Sequence, residues 1–183
     1  MPIRHAILVC LSASTLLAAP GVHAQTTQAA STTQANPLPE PDKQFVQAAS
    51  SSGSTEIDAA KIALSRSADR QVKSFARQMM LDHTRLTVEL KLAAPHGVTV
   101  PKDNSDEAVL ASLRKVPAAG FDRLYLSKVG VQGHEAAVAA FQAEIANGQN
   151  ADLKRAAQKA LPTIEHHYQM ARDLAAAKGV AAH

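Results

Sequence analysis

The sequence predicts an all-α fold, and three observations carry that prediction. Apolar residues recur at spacings of three and four through long segments, helix start and stop signals bound those segments, and none alternates as a strand does. Three of the segments also carry a histidine in the middle of the apolar stripe. Around His83 the stripe reads Val72, Phe75, Ala76, Met79, Leu86 and Leu90. Around His134 it reads Phe121, Leu124, Val131, Val138, Phe141 and Ile145, and around His167 it reads Leu153, Ala157, Ala160, Ile164, Ala171 and Leu174. Such spacing puts all members of a stripe on one helix face, so each imidazole is expected to point inward.

The chain opens on an export signal. Arg4 and His5 precede an apolar run from Ala6 to Ala19, and Val22-His23-Ala24 offers small residues for cleavage before Gln25. A retained anchor is the other reading, but the run falls short of the ~20 residues a span needs. Cys10, the only cysteine, lies inside the run, so a mature chain holds no disulfide and no thiolate ligand. Removing residues 1–24 takes away one basic residue, Arg4, leaving 18 Lys plus Arg against 16 Asp plus Glu. That small excess, with no Trp and few aromatic residues, gives no nucleic-acid footprint, and nucleic acid is not an expected partner.

Residues 25–41 are rich in Thr, Ser, Gln, Ala and Pro and read as a disordered tether. Residues 42–178 fit one domain, and 179–183 form a tail. The first helix is expected from about Asp42, as its N-cap, to about Leu64, with a weak, kinked or broken middle at Gly53 and its neighbouring serines. Asp69 caps a second helix, which stops at Pro95-His96-Gly97. A long connection follows between Pro101 and Pro117, in which Ser105 to Val116 is amphipathic enough for a short extra helix. The third main helix runs from near Ala118 to Asn147-Gly148, and the fourth from near Asn150 to Lys178-Gly179, bent at Pro162. Short, long and short connections predict a four-helix bundle whose second and third helices run parallel, the ferritin-like arrangement with one crossover.

The first helix offers Glu56 on the face Ala49, Ser52, Glu56, Ala60, Ala63, in competition with an apolar face through Val46, Gly53, Ile57 and Leu64. With Glu56 inward, one carboxylate and three imidazoles meet in the core, a donor set suited to copper, zinc or iron. The candidate metal ligands are therefore Glu56, His83, His134 and His167. A lone histidine on an apolar face is more often a satisfied core residue, and a buried hydrogen-bonded network of the three is the competing reading. Counting from the turns leaves axial offsets of roughly 6 Å between Glu56 and His83 and between His134 and His167. The residues three before each histidine are Met80, Val131 and Ile164, so the paired Glu-x-x-His signature of di-iron bundles is absent. Asp82 and Glu135 flank two of the histidines as additional ligands, as acceptors behind the ligands or, most commonly for such residues, as solvated charges, and Tyr125 is read as a bundle-edge residue or a histidine partner. His166 is turned off the stripe, and there is no nucleophile elbow, phosphate loop or zinc-protease motif, so an enzyme is the less favoured class.

Several of these features occur together in one family. Phe45-Val46 through Glu56, Phe75-Ala76-Arg77-Gln78-Met79 with Asp82-His83, and Gly97-Val98-Thr99-Val100-Pro101 are followed by Phe121-Asp122-x-x-Tyr125, His134, and Leu161-Pro162-Thr163 with His167. Over roughly residues 42–175 the chain resembles the bacterial domain-of-unknown-function family 4142. The resemblance implies a ferritin-like bundle exported to the cell envelope, and it supplies no established reaction. It also places the family's motif histidines on His83, His134 and His167 and its helix-one acid on Glu56. His166 departs from the acidic or polar residue expected there. The expected protein is periplasmic and binds a transition metal in stress or metal handling. The opposing expectation is a non-catalytic envelope protein with a protein partner and a buried histidine network.

Overall fold

The computed structural model describes residues 38–180. The predicted signal peptide, residues 25–37 of the tether and residues 181–183 of the tail lie outside the described residues. Among the described residues the chain is all-helical. It forms α1 (Glu40–Arg66), α2 (Arg70–Ala93), α3 (Glu107–Lys115), α4 (Ala118–Tyr125), a π-helical stretch (Leu126–Gly133), α5 (His134–Asn147) and α6 (Ala151–Ala177). No helix among these residues is long and apolar enough to cross a membrane.

Caps end the helices as their sequences require. The Asp69 side chain accepts from the backbone N–H groups of Gln71 and Val72 at the start of α2. Asp106 does the same for Val109 of α3, and Asn150 for Asp152 and Leu153 of α6. Helix α1 differs from expectation at both its start and its middle. It opens at Glu40 behind Pro39, with Pro41 in the first turn, where a missing N–H costs nothing. Asp42 is therefore not its cap. Its fully buried carboxylate instead accepts from the backbone N–H groups of Gln149 and Asn150 at 2.8–3.2 Å, tying α1 to the start of α6.

Nor does Gly53 break α1. A Cβ there would stand 3.1 Å from Thr87 Oγ1, so the glycine allows α1 and α2 to approach closely. The surrounding serines have a partner of their own. The connection before α3 lies along them, with the Asn104 amide within 2.9 and 3.1 Å of the Ser50 and Ser54 hydroxyls. Thr55 accepts from the Asp106 N–H (2.8 Å), and Ser105 donates to Asp58 (2.8 Å). Arg66, at the end of α1, donates to the carbonyls of Leu113, Arg114 and Val116, satisfying the exposed end of α3.

Contacts across the molecule give the helix directions. Phe75 meets Tyr125 and His83 meets His134, so α2 runs parallel to the α4–π–α5 rod. Phe45 meets Phe141 while Glu56 meets His134, so α1 opposes that rod. Lys178 pairs with Asp69 and Lys159 with Glu89, so α6 opposes α2. Helix α6 passes through Pro162, which leaves the Gln158 carbonyl without its helical donor.

The apolar core falls into two clusters. One gathers Ala59, Val72, Phe75, Met79, Leu113, Phe121, Tyr125 and Ala171; the other gathers Phe45, Leu90, Phe141, Leu153, Ala157 and Ile164. On every long helix a buried polar residue separates them: Glu56, His83, His134 and His167. The core is thus two oily halves with one polar layer between.

Candidate metal centre

Three helices supply the layer's imidazoles. His83 comes from α2, His134 from the first residue of α5 and His167 from α6. They are 3%, 0% and 0% exposed, and their ring centroids lie 5.3–5.6 Å apart. One ring nitrogen from each falls within 4.8 Å of the others. Nitrogens placed tetrahedrally about one metal at 2.0–2.1 Å stand about 3.4 Å apart, so a shared metal would require the widest pair to close by up to about 1.4 Å. Despite the axial offsets expected from the turn counts, the three rings come together within 5.6 Å.

Hydrogen bonds behind two of the rings set their tautomers. His134 Nδ1–H donates to the Val129 carbonyl at 3.2 Å, which leaves Nε2 with its lone pair. His167 Nε2–H donates to Asp82 Oδ2 at 2.9 Å, which leaves Nδ1 with its lone pair. His134 Nε2, His167 Nδ1 and His83 Nε2 are all buried without a hydrogen-bond partner. Burial drives the His83 pKa well below its ordinary value, and the neighbouring imidazoles push the same way. Burial brings His134 down to about 4, and it also lowers His167 against the opposing pull of Asp82. At neutral pH the three are uncharged nitrogen donors, the form that binds metal.

The π-helical stretch is what aims His134. The buried residues Tyr125, Val129 and His134 step by four and then five, and the five-residue step is the π turn. Gly130 and Gly133 lie within it. A Cβ on Gly130 would stand 3.1 Å from the Ala171 Cβ, and one on Gly133 would stand 3.0 Å from Glu56 Oε1. The first glycine brings α6 close; the second leaves room for the Glu56 carboxyl. Reading the segment at a period of 3.6 placed Leu124 on the buried stripe, whereas Tyr125, Leu126 and Val129 are the deeper residues.

Glu56 is inward, as the face through Ala60 and Ala63 predicts, and 2% exposed. Its place is behind His134: Oε1 lies 3.3 Å from Nδ1, the nitrogen that also faces Val129. The group of converging nitrogens comprises the three histidines without it. Burial raises the Glu56 pKa well above the carboxylate range, and Oε2 has no partner. Tyr125 is fully buried rather than at the edge of the bundle, with its hydroxyl unpartnered and its pKa raised by burial and by Glu56. Asp82, left open by the sequence, touches the site through His167 from the neighbouring helix. Glu135, His166 and His96 are exposed. Met79 is fully buried in the apolar cluster on the Phe75 side.

Two solved structures share the fold. A DUF305 fragment from Deinococcus radiodurans aligns with a TM-score of 0.61 at 21% identity, covering 76% of this chain and 97% of that one. A DUF305 protein from Streptomyces coelicolor, described as secreted, aligns with a TM-score of 0.63 at 17% identity, covering 78% and 96%. At these identities the likeness is one of fold. No curated protein matches the chain. The model of the domain of unknown function DUF4142 matches residues 25–174, and the chain belongs to that family.

Proposed function

We propose that this protein is exported to the periplasm as a ferritin-like four-helix bundle and binds one transition-metal ion in its core for metal handling or stress protection. His83, His134 and His167 are the ligands. Glu56 moves from the ligand set to a supporting place: with Asp82 it stands one ring behind the donors, and the two acids orient His134 and His167. The single observation that carries the reading is the set of three buried, uncharged imidazoles whose nitrogens lie within 4.8 Å of one another, with one unpartnered nitrogen on each ring. A buried polar atom without a partner costs free energy, and a shared cation satisfies all three at once. An all-imidazole set suits zinc, copper or iron. Export is supported by the apolar start of the sequence and by the secreted relative of the same fold.

Residues 25–183, expressed without a histidine tag and purified from the periplasm, should carry near-stoichiometric metal. The His83→Ala/His134→Ala double variant should carry none. Absence of metal in the parent, with no uptake of zinc, copper or iron on titration, overturns the proposal in favour of a histidine network in an envelope interaction protein.

A further inference from the structure

A second feature adjoins the histidines. Between α1, α2, α5 and α6 lies a cavity of ≈ 30 Å³, with His83 in its wall. Its rim is half-exposed Ser52, Glu89 and Ala156, and its deeper walls are Phe45, Leu90 and Ile164, each under 10% exposed. Glu89 at the rim is paired with Lys159 across α2 and α6 at 3.0 Å. The volume holds about two water-sized molecules, since one needs roughly 10–15 Å³. The polar groups of its lining are the Ser52 and Thr87 hydroxyls, the Glu89 carboxylate at the rim and His83, and the Thr87 hydroxyl donates to the His83 carbonyl at 2.8 Å. An anion would meet a carboxylate at the rim and no cationic side chain in the lining. Small size and predominantly apolar walls favour a small, uncharged, apolar molecule.

We propose that this cavity binds a single dissolved gas molecule of two heavy atoms, such as dioxygen or nitric oxide, against His83. Occupancy of the cavity stands by itself. Delivery of the gas to a metal at the triad rests on the metal-centre reading above.

Xenon is the probe. The metal-free protein should bind one xenon between Phe45, Leu90 and Ile164, seen in pressurised crystals and as saturable methyl shifts of Leu90 and Ile164 in solution. Ala160→Leu, which fills the wall, should weaken xenon binding at least tenfold. Leu90→Ala, which enlarges the cavity, should tighten it, so the pair remains informative even if one variant folds poorly. Absence of xenon from this cavity in the parent, or equal binding by the parent and a folded Ala160→Leu protein, overturns the proposal. Metal content is measured on the same samples. Stoichiometric metal without xenon removes the gas cavity and leaves the metal centre. Xenon binding without metal uptake supports the cavity and removes only the delivery step. With both present, nitric oxide added to the iron-loaded protein should perturb its spectrum, and Ala160→Leu should slow that change at least tenfold; an unchanged rate overturns delivery.

Discussion

His167 and Asp82 face each other from α6 and α2, with Nε2–H donating to Oδ2 at 2.9 Å, and this bond leaves the other ring nitrogen as a bare donor toward His83 and His134. Asp82 thereby acts on the cluster without entering it. Its side chain is 35% exposed while the imidazole it holds is fully buried.

Asp82→Asn tests that relationship. The amide can accept from or donate to the ring and so no longer dictates the tautomer. Metal affinity is expected to fall about 10–100-fold, the usual cost of losing an outer-sphere carboxylate. Competition with a chromophoric chelator measures it. An unchanged affinity would mean that His167 is oriented by packing alone.

The histidines tie stability of the metal-free protein to pH. Their folded pKa values are lowered, so the unfolded chain takes up protons first as the pH falls. The stabilisation is whole above the ordinary imidazole value of 6.5 and is lost on acidification, for His134 down to about 4. Urea midpoints between pH 7 and pH 4 should therefore drop more steeply for the parent than for His134→Gln, which has nothing to titrate. Bound zinc should oppose the drop until protons displace it, well below the pH at which free imidazole protonates.

Glu144 acts in the opposite sense. Buried beside Asp42, it has its pKa raised by burial and by the neighbouring carboxylate to about 7. A raised carboxyl favours folding below its unfolded value and loses that advantage as pH climbs through about 7. Glu144→Gln should stabilise the protein at pH 8 by roughly 1–3 kcal/mol and change little at pH 4. Equal effects at the two pH values would indicate a packing change instead.

Gly133→Ala checks the fit between the π stretch and Glu56. The added methyl would lie 3.0 Å from Glu56 Oε1, displacing the carboxyl from His134, and should destabilise by about 1–2 kcal/mol. On a Glu56→Ala background the conflict is gone and the same change should become neutral or favourable, alanine being the better helix former. The four-variant thermal cycle reads this coupling directly.

Most of the helical framework is legible in the sequence. Asp69 caps the helix it is expected to cap, the fourth long helix starts next to Asn150 as expected, Pro95 to Gly97 ends α2, and α3 falls inside the amphipathic stretch before Pro117. Such signals are local, acting through hydrogen bonds and dihedrals within one turn. The serine run around Gly53 misled because its role is remote: it receives the connection before α3 and the approach of α2. Asp42 misled likewise, since its partners are 107 and 108 residues away.

The sequence by itself determined that three histidines face the core, because burial follows from the spacing of apolar residues along each helix, and it left Glu56 between two competing faces. Only the tertiary structure decided which of them meet. A stripe carries no information about axial register between helices, about the five-residue step between Val129 and His134, or about an acid such as Asp82 reaching an imidazole on a neighbouring helix. Those depend on helix directions and side-chain reach across the core, where a shift of one turn, about 5.4 Å, would separate every pair of rings.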